Sequence, residues 1–155
     1  MLIGAVLPCD SMSSFDRHIE KAIEWAFGML GSADYKFLCL AFVEDAYEQG
    51  AKVELDGYSY AKEAAVKHNA ERSMGVPPRG AYVFYDCWGT INGRYRNWGH
   101  VGISVGDGGV IHAWDVVRLD NCLEVQNLKA AEGWTQPEYI GWIPAEEYPY
   151  VNPER

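Results

Sequence analysis

An α+β fold, with N-terminal helices packed on an antiparallel sheet of about five or six strands, follows from three features of the sequence. The first half carries apolar residues at three- and four-residue spacing, the second half carries short β-branched and aromatic runs broken by glycine, and Met74 to Gly80, with Pro77 and Pro78, divides them. The topology is therefore helices first, then sheet. The chain has 155 residues, 48% of them apolar, enough to bury a core without metal or crosslinks. Residues 1–155 are therefore expected to form a single domain with its core at residues 13–144.

Taken in order, Phe15, Ile19, Ala22, Ile23, Ala26, Phe27 and Leu30 lay one apolar stripe on a first helix, capped at Ser13 or Ser14 and stopped at Gly31. A second helix is expected over residues 37–50, with Phe42, Val43, Ala46 and Tyr47 on one face, Gly50 as its stop and Cys39 in its first turn. Ser59 to Glu71 predicts a third. Ala81 to Tyr85 reads as a strand, and Gly89 to Asn97, centred on Asn92-Gly93, as a hairpin or an overhanging loop. The stretch from Trp98 to Asp115 predicts a hairpin whose strands, VGISV and VIHAW, are joined by Gly106-Asp107-Gly108-Gly109, residues tolerant of positive φ. Cys122 to Leu128 and Tyr139 to Ile143 read as two more strands, and Pro144 to Arg155, with three prolines, as an irregular tail.

A net charge of −9 and a pI near 4.8 argue against nucleic acid or an anionic membrane as a partner, since both reward clustered Lys and Arg. No apolar run approaches the ~20 residues that span a bilayer. Met1 to Leu7 is apolar but short and without a basic flank, so it does not read as a secretory signal. Synthesis in the cytoplasm is expected, with lysis or a dedicated route needed for any work outside. The cysteines at 9, 39, 87 and 122 form no CxxC, which predicts no structural zinc, and no metal or other cofactor is expected. Cys87 and Cys122 are either bridged or free.

Chemistry concentrates on three side chains. Cys39 at a helix start gains from the free N–H groups and the dipole there, which favour a thiolate over the unperturbed pKa of ~8.5; the competing reading is a small buried hydrophobe. His100 opens one strand of the central hairpin and His112 lies inside the other, twelve positions on, so folding at the glycines brings the imidazoles together. A thiol, an imidazole and a group that fixes the imidazole are the parts of nucleophilic acyl chemistry. Trp98 and Trp114 flank the histidines, either walling a cleft or packing a core. Asp115 follows the second strand, either replacing or assisting His112 as the orienting group or lying on the surface. His18 and His68, set among charged residues, read as surface groups.

The segments YKFLCLAFVEDAYEQG, PPRGAYVFY, GHVGISVGDGGVIHAW and YIGWIPA together resemble the NlpC-type (NlpC/p-sixty) cell-wall peptidases, bacterial papain-like cysteine hydrolases, over about Ile19 to Pro144. The resemblance implies Cys39 as nucleophile, His100 as base and His112 as the residue that orients it. It also implies hydrolysis of amide bonds in peptides or muropeptides, namely peptidoglycan stem peptides or related γ-D-glutamyl peptides. The oxyanion is then met by the backbone N–H of Cys39, with the Tyr35 hydroxyl as a second donor or, equally, a packing aromatic. The chain has the unpermuted order, cysteine before histidine. It departs from the family at Leu38-Cys39-Leu40-Ala41, where Asp-Cys-Ser-Gly is usual, and at Gly80-Ala81, where many members have Gly-Asp. The missing Asp and Ser are associated with the polar end of a peptide substrate. Three other readings use the same parts: acyl transfer to an amine or lipid, a binding module that kept the fold, and an open zinc site.

Overall fold

The computed structural model describes residues 14–148 and 150–151; Met1 to Leu7, Cys9 and Ser13 lie outside them. Helix α1 spans Ser14–Gly28 and buries Ile19, Ala22, Ile23 and Ala26, the inner part of the expected stripe. Phe27 and Leu30 fall off that face and remain exposed. The second helix divides into α2, Cys39–Asp45, and a π-helical turn, Ala46–Gly50. It starts two residues later than its periodicity suggests because Phe37 sits at φ +64°, a left-handed conformation that ends any helix entering from the N-terminal side. Helix α3 spans Ala61–Lys67, and Asn69 at φ 51° separates it from the short 3-10 turn Ala70–Arg72.

Strands β2 (Tyr82–Asp86), β5 (His100–Gly106), β6 (Gly109–Ala113), β7 (Val117–Asn121) and β8 (Glu138–Ile143) form one antiparallel sheet in the order β7-β6-β5-β2-β8. Two smaller pairs accompany it: β1 (Glu54–Leu55) with β9 (Tyr150–Val151), and the hairpin β3 (Trp88–Ile91) with β4 (Arg94–Asn97). In that hairpin Asn92 and Gly93 both take positive φ, as a two-residue turn between twisted strands requires. One sheet face packs Tyr82, Phe84, Val101, Ile103 and Ile111 against α1 and α2, where each fully buried large apolar side chain contributes about 1.5–3 kcal/mol. The other face carries Val83, Tyr85, Val110 and Tyr139, covered by Cys122 and Val125.

Two expectations need correction. Cys122 to Leu128 is not a strand: Glu124–Asn127 is a 3-10 turn, and the neighbouring β7 takes the edge position. Cys122, Val125 and Leu128 recur every third residue, the period of a 3-10 turn rather than of a strand, and two of them are buried on the sheet. The tail after Pro144 is not wholly irregular, since Ala145–Glu147 forms a 3-10 turn and β9 pairs with β1. Cys87 and Cys122 are both free thiols.

Glycine decides the packing at two positions of the central hairpin. Gly99, at φ +78°, lies so close to α3 that a Cβ there would stand 2.6 Å from the Lys62 backbone nitrogen, which donates to the Trp98 carbonyl. Gly102 pairs directly with His112, and a Cβ on it would meet Val110 Cγ1 at 2.5 Å and His112 Cβ at 2.9 Å. Gly102→Ala is therefore expected to destabilise the protein by about 1–3 kcal/mol through overpacking. Denaturant unfolding checks this, and a variant as stable as the parent would contradict it.

Candidate active site

Cys39 is the first residue of α2. Leu38 occupies the cap position at φ −125°, ψ 45°, with no side-chain hydrogen bond to the helix. The first backbone N–H groups are thus not taken by a capping side chain. The turn before it closes through the Leu38 N–H donating to the Tyr35 carbonyl at 2.8 Å, with Phe37 in its left-handed conformation between them. A bulky residue held at positive φ two positions ahead of the Cys39 thiol stores strain of the kind that clusters at functional sites. The N–H groups of Val101, Leu40 and Cys39 itself act on the sulfur, which lies at the His100 end of β5.

The two histidines meet as the hairpin predicts. His100 Nε2 and His112 Nδ1 are 2.8 Å apart, with ring centroids at 5.0 Å and planes at 79°. Both are buried. His112 Nε2 then lies 2.8 Å from Asp120 Oδ2, and Arg118 Nε donates to the same oxygen at 2.8 Å. These contacts assign the protons. Asp120, held below the usual carboxylate range by His112 and Arg118, accepts from His112 Nε2–H. His112 Nδ1 is then an acceptor for His100 Nε2–H, and His100 Nδ1 keeps its lone pair.

Asp120 is the residue that sequence reasoning missed; Asp115 was named instead. The Asp115 carboxylate accepts from the Val116 N–H and from Arg118 and does not reach His112. What separates them is strand alternation. Arg118 pairs directly with His112, so Asp120, two residues on, shares its face of the sheet. The alternating Val117-Arg118-Leu119-Asp120 carries that signal in the sequence, once β7 rather than residues 122–128 is taken as the edge strand.

Burial dominates the electrostatics. It pushes the Cys39 thiol up to about 11, outweighing the three N–H groups that pull it down, so the expectation of a helix tip depressing this pKa is not met. Burial, and then the neighbouring His112 imidazole, hold His100 well below the ordinary imidazole value. At neutral pH the Cys39 thiol and the His100 imidazole are therefore both uncharged.

Cys39 and His100 line one cleft, with a volume near 660 Å³, together with Trp98, Trp114 and Asp115. Trp114 stands edge-on to His100 at 5.0 Å and its Nε1 donates to the Lys129 carbonyl. Trp98 packs edge-on to Tyr60 at 5.3 Å with its Nε1 on the Gly89 carbonyl. Tyr35 is not among the lining residues. Its hydroxyl donates to Asp45 Oδ2 at 2.6 Å, burial and then that bond raise its pKa to about 12, and its ring packs on Trp25 and Phe42. His68 is half-buried rather than solvated, hydrogen-bonded to the Tyr58 hydroxyl at 2.7 Å. No three His, Cys, Asp or Glu side chains among the described residues converge as metal ligands. No described helix is long and apolar enough to cross a membrane.

The sequence profile of the NlpC/P60 family matches residues 24–136, well over half of the chain. The chain belongs to the NlpC/P60 family. No curated protein matches it. The α+β fold with a five-stranded antiparallel sheet is consistent with the papain-like architecture of NlpC/P60 proteins. Membership supports a cysteine peptidase or amidase of the cell-wall hydrolase kind, with a peptide as substrate. The matched residues include Cys39, His100, His112 and Asp120.

Two outcomes follow from the electrostatics. Because the thiol titrates near 11, alkylation of Cys39 by iodoacetamide should accelerate about tenfold per pH unit from 7 to 10, and Cys39, only half-buried at the cleft, should react ahead of the buried Cys87 and Cys122. A rate already level near neutral pH would contradict this; peptide mapping by mass spectrometry reads it. Stability should also fall as the pH drops below about 6.5, the ordinary histidine value. In that window the unfolded chain takes up a proton that folded His100 excludes, so the loss appears below the unfolded pKa and not above it. Asp120 adds a second loss lower, as the pH falls from 3.8 toward its depressed folded value. Denaturation midpoints against pH should show a shallower first slope in His100→Gln; an unchanged slope would contradict the assignment.

Proposed function

We propose that the protein hydrolyses amide bonds in peptides through Cys39, with peptidoglycan stem peptides or related γ-D-glutamyl peptides as the substrates to test first. The observation that carries this reading is the line of hydrogen bonds Asp120–His112–His100, which ends at an imidazole lining the same cleft as Cys39.

In this mechanism His100 Nδ1 takes the Cys39 proton as the sulfur attacks the carbonyl carbon. Thiolate forms only as the carbon–sulfur bond does, which suits a pair that is uncharged at rest. His112 spreads the positive charge developing on His100, and Asp120 stabilises it without taking the proton. The tetrahedral oxyanion is met by the N–H of Cys39; one such donor contributes about 3 kcal/mol in other hydrolases. Collapse expels the amine, protonated by His100. Water, deprotonated by His100, then attacks the thioester, releasing the acid and restoring the thiol.

Cys39→Ala is expected to abolish turnover of purified muropeptides, read by mass spectrometry, with an unchanged melting temperature. Asp120→Asn, which presents the wrong hydrogen-bond pattern to His112, should lower kcat by about 10- to 10⁴-fold while leaving KM nearly unchanged. Full activity in either variant would overturn the proposal.

A further inference from the structure

One wall of the cleft has a chemistry that the hydrolytic machinery does not use. Phe37 and Trp134 face each other at 5.5 Å between centroids with planes tilted by 33°, and Phe37 is 53% exposed although its backbone is held in the left-handed region. Trp134 lies flat on β3: a Cβ on Gly89 would stand 1.9 Å from its ring. The aromatic pair joins the segment entering α2 to the 128–134 loop, and that loop is tied to the wall beside His100 by the Trp114 bond to Lys129.

The charge around this pair runs against that of the whole chain. Five charged residues line the cleft: Lys36, Lys129, Arg118, Asp115 and Glu44. Arg118 is paired with Asp115 and Asp120, and Glu44 accepts from the Tyr148 hydroxyl and the Tyr58 N–H. That leaves two exposed ammonium groups with no carboxylate partner among the described residues: Lys36, whose Nζ lies 5.7 Å from the Phe37 ring, and Lys129. Both belong to the segments that supply the aromatic pair. A chain with a net charge of −9 repels anions in general, so two unpaired cations at an apolar wall favour one kind of occupant.

We infer that this wall reads the end of a peptide: a terminal aromatic or branched apolar residue against Phe37 and Trp134, with its free carboxylate met by Lys36 and Lys129. The inference rests on the hydrolase reading above and narrows its substrate class to short peptides ending in an apolar residue.

The test uses the full chain carrying Cys39→Ala, titrated calorimetrically with N-acetylphenylalanine, its carboxamide, N-acetylglycine and octanoate. N-acetylphenylalanine should bind at least about tenfold more tightly than the carboxamide and than N-acetylglycine. Adding Lys36→Ala and Lys129→Ala, both at exposed positions, should erase the first preference, and Phe37→Ala the second. Equal binding of acid and carboxamide would overturn the inference, and so would tighter binding of octanoate, which would make the wall a reader of acyl chains. Binding here needs no turnover. A chain with this preference that cleaves no peptide sinks the hydrolase reading alone, and a peptidase without the preference sinks the subsite alone.

Discussion

The hydrogen-bonded line from Asp120 through His112 to His100 is the constraint around which the sheet is organised. It crosses three adjacent strands, β7, β6 and β5, so their register must be right to within one residue for it to exist. A slip of one position would turn every side chain of a strand to the other face. Two buried imidazoles without partners would each carry a desolvation cost of about 1–3 kcal/mol, so pairing them also stabilises the register that creates the pair. Gly102 is part of the same constraint. The neighbour of His112 on β5 has no side chain, and the two rings meet there at 79°.

The site opposes two tendencies. Helix-tip N–H groups and a polar relay favour charge, while burial in a cleft walled by tryptophans disfavours it. Burial wins for both Cys39 and His100, and the ionic end of the hydrogen-bonded line, Asp120, sits beside Arg118 with its side chain still 16% exposed. Charge is thus kept at the edge of the sheet rather than in a buried ion pair, whose desolvation costs several kcal/mol per ion. The left-handed Phe37 contributes by ending the approach to α2 abruptly, so that Cys39 opens the helix instead of lying within it.

Much of this was legible along the chain because it rests on local rules. The hairpin bearing both histidines was readable from Gly106-Asp107-Gly108-Gly109, and positive φ at Gly106, Asp107 and Gly108 is what such a link requires. The α1 stripe followed from periodicity, and the Asn92-Gly93 hairpin from turn chemistry. The errors came where two local rules compete. Residues 122–128 contain apolar groups suited to either a strand or a 3-10 turn, and only the vacant surface beside Val83 and Val110 selects the turn. Asp120 cannot be placed beside His112 from sequence, because only the β6–β7 register brings them to one face. Of the two readings of Tyr35, oxyanion donor or packing aromatic, the structure has the second, with the hydroxyl donating to Asp45.

By itself the sequence determined the fold class, the helix whose first turn carries the thiol and the pairing of the two imidazoles, because backbone propensity, turn geometry and alternation act over a few residues. Only the tertiary structure decided which carboxylate completes the line, that the thiol and imidazole rest uncharged, and that Lys36, Phe37, Lys129 and Trp134 line one cleft. Those outcomes depend on burial and on contacts between segments far apart along the chain, and neither is a property of any single stretch.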